Sequence, residues 1–151
     1  MDAPRIGAGL NARASDVAEH ILRTRGPMSA TKLQKLVYYS QAWSLVWDDR
    51  PMICDRFEAW ANGPVAPELY ARHRGTFEVE TVGGNPEALD TVAAETINAV
   101  LEFYGDKSSQ WLSDLTHSED PWRLARGDLP PGARGSAEIT LVSMAEYYGS
   151  L

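Results

Sequence analysis

Hydrophobic and polar residues follow two different periods along the chain. Spacings of three and four residues predict amphipathic helices at five places: 15–24, 30–47, 87–104, 110–117 and 140–148. Alternation with a period of two predicts short strands at 52–61 and 77–82. We therefore expect a mainly α (α+β) fold, a compact helical domain with a small antiparallel β insertion.

The segment 30–47 is apolar around most of its helical surface. This is typical of a central, buried helix, and Ser29 is a suitable N-cap for it. We expect Tyr39 and Trp43 to pack against the helix at 87–104. Two lysines, Lys32 and Lys35, lie among these apolar positions. They are expected to be solvated near the helix end; the alternative is that one of them reaches a carboxylate near the following bend, or a partner.

The stretch 58–75, EAWANGPVAPELYARHRG, combines a glycine, two prolines and several aromatic or amide side chains in one bend. Asn62 and Gly63 supply the positive backbone angles of a sharp turn. Pro64 directs the chain onward, and Pro67 suits the first position of a short helix because its missing N–H is not needed there. We expect the strand at 77–82 to pair with the strand at 52–61, and Phe77 and Val79 to share its buried face.

The bend has two interpretations. Its aromatic residues either pack on the central helix or form a rigid, partly apolar surface for a partner, since Trp and Tyr are favoured anchors in protein interfaces. In the second case acidic side chains steer a basic partner towards the surface. The candidate partner-binding residues are Trp60, Asn62, Gly63, Pro64, Val65, Pro67, Tyr70, Glu58 and Glu68.

The rest of the sequence predicts helix caps, a terminal tail and two loops. Ser15 and Thr140 are expected to cap the first and last helices, and residues 1–14 are expected to form a mobile tail before a single domain at 15–151. Asp120-Pro121-Trp122 suggests an exposed loop or turn, and 127–135 a loop. Trp111 and Trp122 are the tryptophans expected to be exposed.

Charge narrows the range of functions. The net charge is −7, distributed as +2 over residues 1–50, −5 over 51–100 and −4 over 101–151. Direct nucleic-acid binding is not expected, because phosphate contacts require clustered Lys and Arg. A basic protein surface is the more suitable partner, although a net negative charge also favours solubility.

The chain lacks an apolar run long enough to span a membrane, and its single cysteine, Cys54, is consistent with a reducing cytoplasm.

The one group of residues that suggests catalysis is the segment around His117. His117 lies near Asp114, Glu119 and Asp120, and a histidine beside carboxylates can act as a general base or a metal ligand. The alternative is that His117 hydrogen-bonds a loop and holds its turn. A metal site needs three or four convergent ligands, and Cys54 has no histidine at a recognisable spacing. We expect no enzyme activity, metal or cofactor.

Four segments occur in a recognisable order: 31–43, 57–75, 108–126 and 138–148. The KLQKLVYY-type helix, the EAW-x-x-GPV-x-PELY bend and the LTH-x-x-x-PW segment together resemble the Panacea antitoxin domain, the SocA-like or GepA phage-associated family. The resemblance covers residues 15–150.

The resemblance implies an antitoxin that neutralises a cognate protein toxin by direct contact, in a bacterial or prophage toxin–antitoxin pair. Two alternatives remain open: a proteolytic adaptor that delivers the toxin to a protease, and an enzyme that uses the His117 loop. Family members are often joined to a DNA-binding module. This chain has no room for one after its short tail, so autoregulation through such a module is not expected.

Overall fold

The computed structural model describes residues 11–151 and is mainly helical. The described α-helices are α1 Ala14–Arg25, α2 Ala30–Trp47, α3 Pro67–His73, α4 Thr91–Tyr104, α5 Ser109–Ser118, α6 Asp120–Arg126 and α7 Leu141–Gly149. A short 3₁₀ helix, Pro86–Ala88, precedes α4. Within the described residues, no helix has both the length and the apolar character needed to cross a membrane.

The strands are short and form two small antiparallel sheets. Their bounds are β1 Met28–Ser29, β2 Phe57–Trp60, β3 Gly63–Val65, β4 Glu78–Val79 and β5 Glu138–Ile139. One sheet pairs β1 with β4, and the other has the order β3-β2-β5. The expected mainly α fold with a small antiparallel β component is confirmed.

The centre of the molecule is α2, as its pattern predicted. Every residue from 33 to 42 is buried, and α2 packs against α1, α4, α5 and α7. Ser29 caps the helix by accepting a hydrogen bond from the backbone N–H of Lys32 at 3.2 Å. Tyr39 stacks on Tyr104 of α4 with 4.3 Å between ring centroids, and Trp43 donates to the Tyr104 hydroxyl at 3.0 Å.

Two buried glutamines of α2 hold the chain that follows it. The Gln41 side-chain oxygen accepts from the backbone N–H groups of Met52 and Ile53, at 2.7 and 3.1 Å. The Gln34 side-chain oxygen accepts from the Ala66 N–H at 2.9 Å. These bonds satisfy backbone donors that no regular secondary structure reaches, so α2 holds the segment that leads into β2 and the residue that follows β3.

The strand prediction was correct in part. Residues 52–56 lie outside β2, since Met52 and Ile53 are tied to Gln41, and the predicted pairing of the two strands is wrong. Val79 of β4 lies opposite Met28 of β1, while the place beside β2 is taken by β3 and β5. The alternating pattern indicated which face of a strand is buried, but it holds no information about the partner strand.

Three further expectations need correction. Phe77 is 82% exposed rather than sharing the buried face with Val79, because β4 begins only at Glu78. The segment at Asp120 is the start of α6, with Pro121 in its first turn, and Trp122 is half-buried. Trp111, by contrast, is exposed as expected.

The first and last helices test the predicted caps. Thr140 caps α7 by accepting from the Ser143 N–H at 3.1 Å, as predicted. Helix α1 begins one residue earlier than expected, with Arg13 rather than Ser15 at the N-cap. Residues 1–10 of the predicted tail lie outside the described residues; of the remainder, Ala12 and Ala14 are buried.

Candidate functional site

The bend at 58–75 is a tight hairpin followed by a helix. Trp60 lies opposite Gly63 in the β2–β3 ladder, so Ala61 and Asn62 form the connecting turn. Gly63 has φ of +125°, which favours glycine strongly, and Pro67 occupies the first turn of α3. The positive angle predicted for Gly63 and the predicted role of Pro67 are confirmed, whereas Asn62 has no positive φ and the turn residues are Ala61 and Asn62.

This hairpin forms one wall of a cleft of about 540 Å³. The start of α2 forms a second wall, α3 and the turn after it a third, and the loop at 134–136 the last. Five of the predicted binding residues line the cleft together, namely Glu58, Trp60, Asn62, Val65 and Tyr70. No pattern in the sequence indicated that the loop at 134–136 reaches the same place.

The other four predicted residues lie outside the cleft lining. Gly63 and Pro64 are buried in β3, where they shape the hairpin, and Pro67 is half-buried at the start of α3. Glu68 is exposed on α3 and forms an ion pair with Arg13. Of the carboxylates predicted to steer a partner, Glu58, Glu68 and Glu78, the last two are therefore at the surface.

Glu58 is held by its neighbours instead. It is 8% exposed, and its Oε1 accepts from the Trp60 indole N–H at 2.8 Å. Its Oε2 accepts from the Arg56 guanidinium at 2.7 and 3.1 Å. These bonds fix the indole ring against Tyr70, with 5.0 Å between ring centroids, so the aromatic rim of the cleft is rigid.

Lys35 is the residue that sequence reasoning misplaced. Its side chain was expected to be solvated, but only 1% of the residue is exposed, and it lines the cleft. Among the described residues it has no hydrogen-bond or ion-pair partner, and burial lowers its pKa from 10.5 to about 8. A Cβ on Gly63 would lie only 2.4 Å from the Lys35 Cε, so the lysine fits because position 63 has no side chain.

Two histidines border this region. The Gln34 side-chain amide nitrogen donates to the His73 Nε2 at 2.9 Å, and burial lowers the pKa of His73. His117 of α5 stacks on Trp122 with 4.1 Å between centroids and interacts with the Asn62 backbone, in agreement with the loop-holding role. Burial, and then the charge of Lys35, lower the His117 pKa, and its Nε2 is buried without a hydrogen-bond partner in the described chain.

The arrangement favours binding. Among residues 11–151, no group of three or more His, Cys, Asp or Glu side chains converges as a metal site would require. The charged side chains in the cleft are Lys35 and Arg134, with Glu58 already bound to Arg56. The interior of the cleft is thus cationic although the whole chain carries −7.

Comparison with known proteins gives one partial relative and a family. No solved structure matches the chain. The antitoxin SocA of Caulobacter vibrioides (strain NA1000 / CB15N) is 46% identical over 44 residues, which is 29% of this chain and 23% of SocA. The chain therefore matches less than a quarter of that relative's length.

The family match is broader. The family model described as antitoxin SocA-like, Panacea domain, covers residues 33–123, more than half of the chain. This range contains Lys35, the whole β2–β3 hairpin and α3, and it ends in α6. The chain belongs to the SocA-like Panacea antitoxin domain family.

Proposed function

We propose that this chain is a cytoplasmic, non-enzymatic antitoxin that neutralises a cognate protein toxin by direct binding, with the cleft and its aromatic rim as part of the interface. The observation that carries the proposal is the position of the cleft. Two of its four walls, the hairpin and α3 with its following turn, lie within residues 33–123, the range that the family model matches, and so do Gln34 and Lys35 of the α2 wall. The partial relative is itself named an antitoxin.

The rim has the properties of an interface anchor. Trp60 and Tyr70 are half-buried, so part of each ring remains open to a partner. Their contacts with each other and with Glu58 hold them in place before binding. Preorganised aromatic side chains lose little conformational entropy on association, and such residues frequently dominate binding energy.

Charge outside the cleft supports a partner with a basic surface. Glu68 on α3 and Glu78 on β4 are exposed. Acidic groups of this kind raise the association rate of a basic protein, and added salt removes the effect. Glu68→Lys is therefore expected to slow association at low salt more than it weakens the final affinity.

The test uses the toxin that is paired with this chain. Trp60→Ala and Tyr70→Ala are expected to weaken toxin binding by roughly 10- to 100-fold and to reduce growth rescue when both proteins are expressed together. Trp111→Ala is the matched control, because Trp111 is an exposed tryptophan on α5 outside the cleft. Binding is measured by calorimetry on variants whose circular dichroism and melting match the parent.

The outcomes separate the mechanisms. A parent chain that does not bind the toxin contradicts the proposal. Rim variants that bind like the parent place the interface elsewhere on the chain. Purified chain that blocks the purified toxin without any protease supports direct masking, whereas neutralisation only in the presence of a protease identifies delivery for degradation.

A further inference from the structure

One buried charge in this protein differs from the rest. Among residues 11–151, the buried Asp, Glu, His and Arg side chains all have hydrogen-bond partners within the chain; they are Asp16, Glu19, Asp55, Glu58, His73, Glu119 and Arg126. Within the same described range, Lys35 has none.

An unpaired buried ammonium is unfavourable, because it loses hydration and gains no counter-charge. The fold nevertheless accommodates it. The end of the Lys35 side chain passes over Gly63, where any Cβ would lie 3.1 Å from its Nζ, and Thr116 adjoins the same position. The hairpin therefore leaves a space that the lysine fills, and the side chain borders the cleft.

Other features of the cleft also favour an anion. Ala30 and Thr31, in the first turn of the 18-residue helix α2, line the cleft, and the N-terminus of a helix carries partial positive charge. Arg134 adds a second cation at the loop. The one carboxylate in the lining, Glu58, is already bound by Arg56 and Trp60, so it is not a free counter-ion for Lys35.

We infer that Lys35 is the counter-ion for an acidic side chain of the toxin, an aspartate or glutamate that enters the cleft beside Trp60 and Tyr70. The inference rests on the proposed function and adds to it a specific recognition chemistry. Lys35 is buried whereas Arg134 is exposed on the loop, so the inner part of the cleft offers one ammonium, which suits a monovalent carboxylate better than a phosphate held by several convergent donors. The aromatic rim favours a protein as the source of that carboxylate, since such rims bury the apolar surface around an inserted side chain.

A carboxylate at this position would be desolvated together with Lys35. Charge pairs of this kind contribute to slow dissociation, and loss of one member weakens a complex strongly. The acidic exterior and the cationic cleft then have different roles. The exterior attracts a basic toxin, and the cleft accepts one acidic residue of that toxin and so sets the register of the complex.

The pH dependence of binding depends on the titratable and charged groups around the cleft. Glu58 on β2, His73 on α3 and Arg134 on the loop line it together with Lys35, and the charge of Lys35 acts on His117 of α5. Burial lowers the pKa of both histidines from the ordinary value of 6.5, further from the range in which Lys35 titrates. Burial also lowers the Lys35 pKa to about 8, and a bound carboxylate would raise it again. Above about pH 8, Lys35 is largely neutral in the free chain and stays charged in the complex. Binding should therefore take up a proton in this pH range.

The experiment compares Lys35→Met with Lys32→Met in the full chain, using the paired toxin as the probe. Lys32 is the matched control because it lies on the same helix, is only half-buried and does not line the cleft. Lys35→Met is expected to raise the dissociation constant roughly 30-fold or more, and Lys32→Met to leave it nearly unchanged. The parent's affinity should fall between about pH 7 and pH 9, and that of Lys35→Met should stay flat.

A thermal melt accompanies each titration. Lys35→Met should melt at or above the temperature of the parent, because it removes an unpaired buried charge. Weaker toxin binding by a variant of this stability supports the inference, and a purely structural lysine would instead lower the melting temperature. If the parent binds the toxin and Lys35→Met binds it equally well, the inference is wrong while the proposed function stands.

Two other results would also overturn it. If the parent does not bind the toxin, the inference fails together with the proposed function. A third outcome is that sodium acetate or sodium glutamate binds the parent in the absence of toxin but does not bind Lys35→Met. The cleft is then a site for small carboxylates, and the inference that the toxin supplies the carboxylate is wrong. Chloride at matched ionic strength controls for general screening in that titration.

Discussion

Glu119 and Lys35 are two buried charges, yet the fold treats them differently. Glu119 is 5% exposed, and its Oε1 accepts from the hydroxyl groups of Tyr39 and Tyr148 at 2.8 and 2.7 Å. Lys35 is 1% exposed and lacks any such partner in the described chain. Burial raises the pKa of Glu119, while the two tyrosines oppose that shift; burial alone lowers the pKa of Lys35.

The difference indicates what each charge is for. The carboxylate of Glu119 joins α2, α6 and α7 through hydrogen bonds, so its desolvation is offset within the chain. Among the described residues, no hydrogen bond or ion pair offsets the desolvation of the Lys35 ammonium, and the side chain lies at a cleft rather than in the core. This contrast agrees with the proposal that Lys35 takes part in recognition, whereas the hydrogen bonds of Glu119 lie within the fold.

The largest expected change in stability comes from replacing Glu119. Glu119→Leu leaves the Tyr39 hydroxyl without an acceptor and removes one from Tyr148, which keeps its 3.1 Å contact with Tyr38. We expect the free energy of unfolding in urea to fall by about 3 kcal/mol. Glu119→Gln is the control, because it keeps an acceptor oxygen, and it should change stability by less than about 1 kcal/mol.

The stability difference between the parent and Glu119→Gln is also expected to depend on pH. The pKa of folded Glu119 is raised above its ordinary value of 4.5, so the folded protein binds the proton more tightly than the unfolded chain. The parent should therefore gain stability relative to Glu119→Gln as the pH falls through the raised pKa. Equal stability of Glu119→Leu and the parent would show that the tyrosine hydroxyls do not need this acceptor.

The second effect concerns the space that Lys35 occupies. Gly63→Ala introduces a Cβ at φ of +125° and 2.4 Å from the Lys35 Cε, and we expect a loss of about 2–3 kcal/mol in urea unfolding. Gly75→Ala is the matched control, since Gly75 has φ of +84° and no atom lies within 4 Å of the position that a Cβ would take there. It should lose about 1 kcal/mol from backbone strain alone.

A double-mutant cycle isolates the contact. In a Lys35→Ala background the clash is absent, so Gly63→Ala should cost about as much as Gly75→Ala, leaving a coupling energy of about 1–2 kcal/mol. If Gly63→Ala costs the same with and without the Lys35 side chain, the close approach of the two residues does not limit stability. The role of Gly63 would then be confined to the turn.

The smallest effect is a gain. Lys35→Met removes a buried charge without a partner among residues 11–151, and we expect the free energy of unfolding to rise by about 1–2 kcal/mol near pH 7. The pKa of folded Lys35, about 8, lies below its ordinary value of 10.5. The parent should therefore recover stability relative to Lys35→Met as the pH rises through 8, the opposite direction to the Glu119 pair. Destabilisation by Lys35→Met would contradict the contrast between the two sites.

Local chemistry in the sequence was sufficient for several features. Ser29 and Thr140 were recognised as caps because a hydroxyl before an apolar periodic segment accepts the first free N–H groups of a helix. Gly63 and Pro67 were recognised because their backbone preferences are intrinsic to the residues. The burial of α2 followed from its apolar circumference, and five of the predicted binding residues do meet in one cleft.

Tertiary structure decided the rest, because those features depend on which distant segments meet. The partner of β4 is β1, the loop at 134–136 closes the cleft, and Glu119 meets Tyr148 across the core. In the sequence, Lys35 is one more polar residue near a helix start. Only the hairpin folded over it, with Gly63 leaving room for its side chain, turns that lysine into a buried charge at the wall of a cleft.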